Sequence, residues 1–207
     1  MKFDNFLIKQ PLFLAGLFFL FSCGDAEQKD TAGKEPLVTK SDQPAIPFAF
    51  YKDISVRPGM NLEVISWGKG VDSIGGYTIL LSDAGKSTYR SLSSEREGIL
   101  SDAWNMDLDN DGNPEVYLEF LIDNKVRSDL HVYEYSNGNF NKITFPGLSS
   151  KLKKNYAGKD KFSIKDGDLY RTYPLAGSLE GGEKATGTMT LHYRLSGNSF
   201  SASEESK

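Results

Sequence analysis

The residue types best suited to chemistry crowd into one short stretch, Asp107-Leu-Asp-Asn-Asp-Gly-Asn-Pro-Glu115. Side chains at Asp107, Asp109, Asp111, Asn113 and Glu115 can wrap oxygen ligands around a hard cation such as Ca2+, and Gly112 permits the tight turn such a loop needs. An EF-hand is excluded. Its twelfth loop position requires a bidentate glutamate, which here is Leu118, and Pro114 leads into a strand pattern instead of a helix. The same residues also make a tight turn that needs no ion, because Asp and Asn cap their own backbone. Mutual repulsion of the carboxylates favours a cation, in a structural and not a catalytic role.

A second candidate is the connection Asp123-Asn-Lys-Val-Arg-Ser-Asp129. Asn124, Lys125, Arg127 and Ser128 offer donors that can pair with the two carboxylates of a glycoside hydrolase cleft, arginine in bidentate fashion. The competing role is to keep a hairpin tip solvated. Enzyme signatures fail elsewhere. Gly85-Lys-Ser-Thr88 ends like a phosphate-binding loop, but the first glycine falls on Leu80. His131 and His192 are the only histidines and sit in strand-like segments, with no nucleophile elbow and no zinc-protease motif around them. Trp67, Trp104, Tyr133, Tyr135, Tyr170 and Tyr173 suit either a glycan groove or cross-strand core pairs. A non-enzymatic chain is the expectation.

The elements that must position these residues read as strands. Alternating or apolar runs occur at Met60–Trp67, Tyr77–Leu81, Pro114–Ile122, Leu130–Tyr135, Phe162–Ile164, Leu169–Tyr173 and Thr188–Leu195. Ser136-Asn-Gly-Asn139 and Lys165-Asp-Gly-Asp168 predict hairpin turns, as does Ser82–Lys86. Helical turns are expected only near Ser91–Arg96 and Leu148–Asn155. The fold class that follows is all-β, an antiparallel sandwich or barrel.

Residues 1–22 have a cationic start, an apolar run and small residues before Cys23, which predicts a signal peptide. Leu20-Phe21-Ser22-Cys23 resembles the lipobox of bacterial lipoproteins, which implies a covalent lipid on Cys23 and a membrane anchor in the cell envelope, at the outer membrane. Residues 23–45 are polar and charged and predict a flexible tether, leaving 46–207 as one domain. Cys23 is the sole cysteine, so that domain has no internal disulfide. Beyond residue 22 the chain carries 22 basic and 27 acidic residues, a mildly acidic balance that argues against nucleic acid as a partner.

The acidic loop looks like the short Asp-x-Asp-x-Asp-Gly-x-x-Glu calcium loops of β-propellers, although here it occurs once. From Ser101 to Leu195 the order of features resembles the periplasmic inhibitors of invertebrate-type (i-type) lysozymes. The matching pieces are Asp107–Tyr117, the strand around His131–Tyr135, Lys142–Gly147, Asn155–Phe162, Gly167–Pro174 and the 181–187 loop leading into Thr190–Leu195. The resemblance implies an all-β domain able to form a homodimer, with no enzymatic activity and a lysozyme or other glycan-cleaving hydrolase as partner. Members insert a loop carrying a Ser-Gly pair and a Tyr into the lysozyme cleft. The corresponding connection here is Asp123–Asp129, which has Ser128 but neither glycine nor tyrosine.

Overall fold

The structure is a computed structural model that describes residues 48–68, 74–176 and 187–205. Cys23, the signal peptide and the tether lie outside the described residues, as does most of the 181–187 loop. Twelve strands are present among the described residues: β1 (Phe50–Arg57), β2 (Met60–Trp67), β3 (Ile74–Asp83), β4 (Thr88–Glu97), β5 (Ile99–Met106), β6 (Glu115–Ile122), β7 (Arg127–Ser136), β8 (Asn139–Ile143), β9 (Lys161–Lys165), β10 (Asp168–Pro174), β11 (Thr188–Ser196) and β12 (Ser199–Glu204). One helical turn, α1 (Ser150–Lys153), is capped by Ser149, whose Oγ accepts the Leu152 N–H at 3.3 Å.

The strands form three antiparallel four-stranded meanders, β1-β2-β3-β4, β5-β6-β7-β8 and β12-β11-β10-β9. The predicted hairpins are all present. Asn137 and Gly138 take φ of 51° and 80°, and Asp166 and Gly167 take 54° and 86°, the left-handed pair that Asn-Gly and Asp-Gly tolerate. The Ser91–Arg96 segment is not helical. It lies in β4, where ten consecutive residues pair with β3 and the ladder overrides a weak local preference.

The all-β sandwich has three layers. Val116, Leu118 and Phe120 of β6 pack with Tyr133 and Tyr135 of β7 against Leu62, Val64, Tyr77, Ile79 and Leu81 of the first sheet. Tyr117, Leu130, Val132 and Ile143 pack on the other face against Leu169, Tyr173, Leu191, Tyr193 and Leu195 of the third sheet. The second sheet is thus buried on both faces, which is why β6 reads as a near-continuous apolar run, Val-Tyr-Leu-Glu-Phe-Leu-Ile. Alternation assigns the faces: odd positions of β6 and even positions of β7 point to the third sheet.

Gly98 alone carries the chain from the first sheet into the second. Its φ is 79°, and a Cβ there would come within 2.3 Å of the Leu121 carbonyl oxygen. Gly98→Ala should therefore lower the free energy of unfolding by about 1–3 kcal/mol in urea titrations, whereas Gly147→Ala, with open space around it, should change little.

Candidate functional site

The acidic loop joins β5 to β6 at one end of the central sheet. Asn110 (φ 57°) and Gly112 (φ 87°) turn the chain. Asp107 caps the turn, its Oδ1 accepting the Asp111 N–H at 3.0 Å and its Oδ2 the Gly112 N–H at 3.1 Å. Asp111 accepts the Asn113 N–H and the Asn113 side-chain Nδ2, each at 2.8 Å. Asn113 thereby orients the Asp111 carboxylate with its amide nitrogen. The turn chemistry and the carboxylate cluster are the same residues.

Two overlapping groups result. Carboxylate oxygens of Asp107, Asp109 and Glu115 lie within 4.8 Å of one another, and so do those of Asp109, Asp111 and Glu134. Calcium–oxygen distances of about 2.3–2.6 Å separate two ligand oxygens by at most about 5 Å, so each group has the span of a coordination shell. Glu134 was not a candidate from its sequence position. It faces Glu115 directly across the β6–β7 ladder, and both are buried. Its signal was the alternation itself: Leu130, Val132 and Glu134 share one face, and the third of them should have been apolar.

Like charges opposite one another in a buried sheet are destabilising. Glu115 is fully buried; its Oε2 accepts the Leu108 N–H at 2.8 Å, while Oε1 has no hydrogen-bond partner among the described residues. The buried Asp109 Oδ1 is in the same position. Burial pushes the Glu115 carboxyl up to about 8; the Leu108 N–H opposes this, and Asp109, Asp107 and Asp111 add to it. No described lysine or arginine makes an ion pair with any of the five carboxylates. A divalent cation placed there would supply the missing charge and the missing partner together.

No family model matches the chain, and no curated protein or solved structure does either.

The second candidate, Asp123–Asp129, is a tight tip instead of a long wedge. Asp123, Asn124 and Lys125 all have positive φ, and the Val126 N–H closes the turn on the Ile122 carbonyl at 3.1 Å. Asn124 and Lys125 are exposed, Arg127 donates to Asp123, and Ser128 is buried on β7. The Ser128 hydroxyl faces Glu119, whose carboxyl burial raises. The four residues thus divide: two at the tip, one closing it, one inside.

Sequence inspection also missed what holds this tip down. Gly158 packs so closely that a Cβ would meet the Val126 carbonyl oxygen at 2.3 Å, and the Lys159 N–H donates to that oxygen at 2.6 Å. The Asp160 carboxylate, its side chain fully buried, then accepts the Ser128 N–H at 3.1 Å, the Arg171 Nε–H at 2.7 Å and the Tyr156 hydroxyl. Burial opposes the Arg171 charge, but the hydrogen bond and charge of Asp160 outweigh it and raise its pKa. The guanidinium also lies 5.6 Å from the Tyr156 and Phe162 rings. Asp160→Asn leaves that guanidinium buried without a counter-charge and should cost about 3–5 kcal/mol of unfolding free energy. A loss under about 1 kcal/mol in chemical denaturation would show that the pair does not tie the tip to the third sheet.

Proposed function

We propose that this chain is a lipid-anchored, non-enzymatic binding module of the bacterial cell envelope whose β domain is locked by a structural calcium ion. The observation that carries the calcium reading is the unpartnered, fully buried Glu115 Oε1 beside Asp109, with Glu134 placed directly opposite Glu115 in the adjacent strand. Asp107, Asp109, Asp111 and Glu115 are the proposed ligands from the loop and Glu134 the one from the sheet, with Asn113 as a positioning group. An ion held by both binds the folded state alone and stabilises it by mass action. The lipid anchor on Cys23 and the envelope location rest on the sequence of the first 23 residues. Among the described residues no helix is long and apolar enough to cross a membrane.

A protein partner is the second part of the proposal. The all-β fold agrees with the resemblance to inhibitors of invertebrate-type lysozymes, and exposed Asn124 and Lys125 are the tip residues available to a hydrolase cleft. Arg127 is engaged with Asp123 and Ser128 is buried, so neither supports that contact.

Calcium added to chelated protein should raise the melting temperature, by about 2.7 kcal/mol of stability at a hundredfold excess over Kd. Asp109→Asn should abolish the response. Glu115→Gln should do the same while making the chelated protein more stable than wild type near neutral pH, because it removes a carboxyl that burial pushes up to about 8 and that must therefore take up a proton on folding. Identical melting curves with calcium and with chelator would eliminate the site. In a separate assay, inhibition of an invertebrate-type lysozyme that Lys125→Ala weakens would support the protein-binding part.

A further inference from the structure

Charge is unevenly distributed along this chain. Residues 150–165 hold six lysines and one aspartate, a formal balance of +5, so the −5 of the chain beyond residue 22 leaves −10 for everything else. The one aspartate, Asp160, is turned inward onto Arg171 and offsets nothing outside. Lys151, Lys153, Lys154, Lys159, Lys161 and Lys165 are all exposed. Lys151 pairs with Glu204 at 3.1 Å, and the other five make no ion pair among the described residues.

The fold gathers these lysines on one side. α1 carries Lys151 and Lys153, with Lys154 as its C-cap. Lys153 lines a cavity of about 410 Å³ together with Arg127 and Arg171, which sets α1 beside the β6–β7 tip and β10. Lys159 is fixed to the same tip by its N–H, which donates to the Val126 carbonyl at 2.6 Å, and Lys161 opens β9 two residues later. Phe162 and Ile164 pair with inward-facing Arg171 and Leu169, so Lys161 and Lys165 take the outer face of the third sheet. Val126, 44% exposed, lies among the lysines as an apolar contact. A guard against edge-to-edge pairing accounts for Lys161 and Lys165, because β9 is the last strand of its sheet. It does not account for Lys153, Lys154 and Lys159, which belong to no strand.

We propose that this lysine surface docks the domain on an anionic phospholipid bilayer. The choice of occupant rests on the anchor proposed at Cys23. Residues 24–47 link that cysteine to the first described residue and reach about 80 Å at full extension, so the domain stays near the headgroups. A surface tethered there acts at high effective concentration, and an affinity too weak to hold free protein still orients the domain. At physiological ionic strength charge is felt over about 8 Å, so headgroups read the lysines facing them and not the acidic remainder. Docking leaves the acidic loop at the far end of β6, about 20 Å from the bilayer side. It also covers the Asp123–Asp129 tip, so a bilayer and a hydrolase cleft compete for Lys125.

The test uses the chain from residue 23 with Cys23→Ser, which carries no lipid and keeps every packed layer, since both cores lie within residues 48–205. Sedimentation with vesicles of phosphatidylcholine containing about 40% phosphatidylglycerol should show partition at least about tenfold above that onto phosphatidylcholine alone. Raising salt from about 0.1 M to about 0.5 M should remove the difference. Each lysine near an anionic surface is worth about fivefold, so Lys153→Gln, Lys154→Gln and Lys159→Gln combined should cut partition at least about tenfold. Lys86→Gln, an exposed lysine in the β3–β4 turn, should leave it unchanged. If circular dichroism shows that the triple variant does not fold, the single variants at 153 and 154 decide, each by about fivefold. Equal partition onto the two kinds of vesicle, or a variant that binds like wild type, overturns the proposal. Binding to soluble polygalacturonate with none to vesicles also overturns it and assigns the lysines to an acidic glycan. Lipid on Cys23 is read separately by mass spectrometry of the wild-type protein, so the anchor and the lysine surface fail independently.

Discussion

The central sheet has no face to spare. Val116, Leu118 and Phe120 must be covered by the first sheet and Tyr117, Leu130 and Val132 by the third, so neither outer layer is optional. Each fully buried apolar side chain contributes about 1.5–3 kcal/mol relative to exposure, and the two interfaces together draw on more than twenty of them. With no cysteine after Cys23, this two-sided burial is what holds the domain together.

A strand buried on both sides cannot send its polar residues to solvent, so their treatment is informative. At the Ser128 end of the third-sheet side, Asp160 is surrounded by donors: a backbone N–H, a guanidinium and a phenol. At the Glu115 end, five carboxylates approach one another and two buried oxygens lack any described partner. The same layer thus satisfies one buried anion completely and leaves another cluster wanting positive charge. That contrast is the physical ground for the ion proposed at the second place.

Much of this was legible in the sequence, because turns and alternation are local properties. Asn137-Gly138 and Asp166-Gly167 announce their hairpins, and the seven apolar or alternating runs all fall on observed strands. β1, β4, β5, β8 and β12 were less visible because their exposed positions blur the period, as in Thr88–Glu97, where Leu92 and Arg96 are the main inward residues. The number of layers was not legible at all: stacking three sheets depends on pairing faces far apart in sequence. The site divides in the same way. Asp107–Glu115 is contiguous and was found, whereas Glu134 and Asp160 enter only through strand register and sheet packing. The tip residues at 123–129 were found, but the tight turn that three consecutive positive φ values impose on them was not.

Among the described residues every hydrogen-bonded strand pair joins neighbours along the chain, with no crossover inside any sheet. Loop closure is therefore cheap at each step, and the contact order within a layer is low for an all-β domain. A chain that appears N-terminus first can zip each meander shut before the next has emerged, and the middle meander waits with one oily face open only until the last four strands arrive.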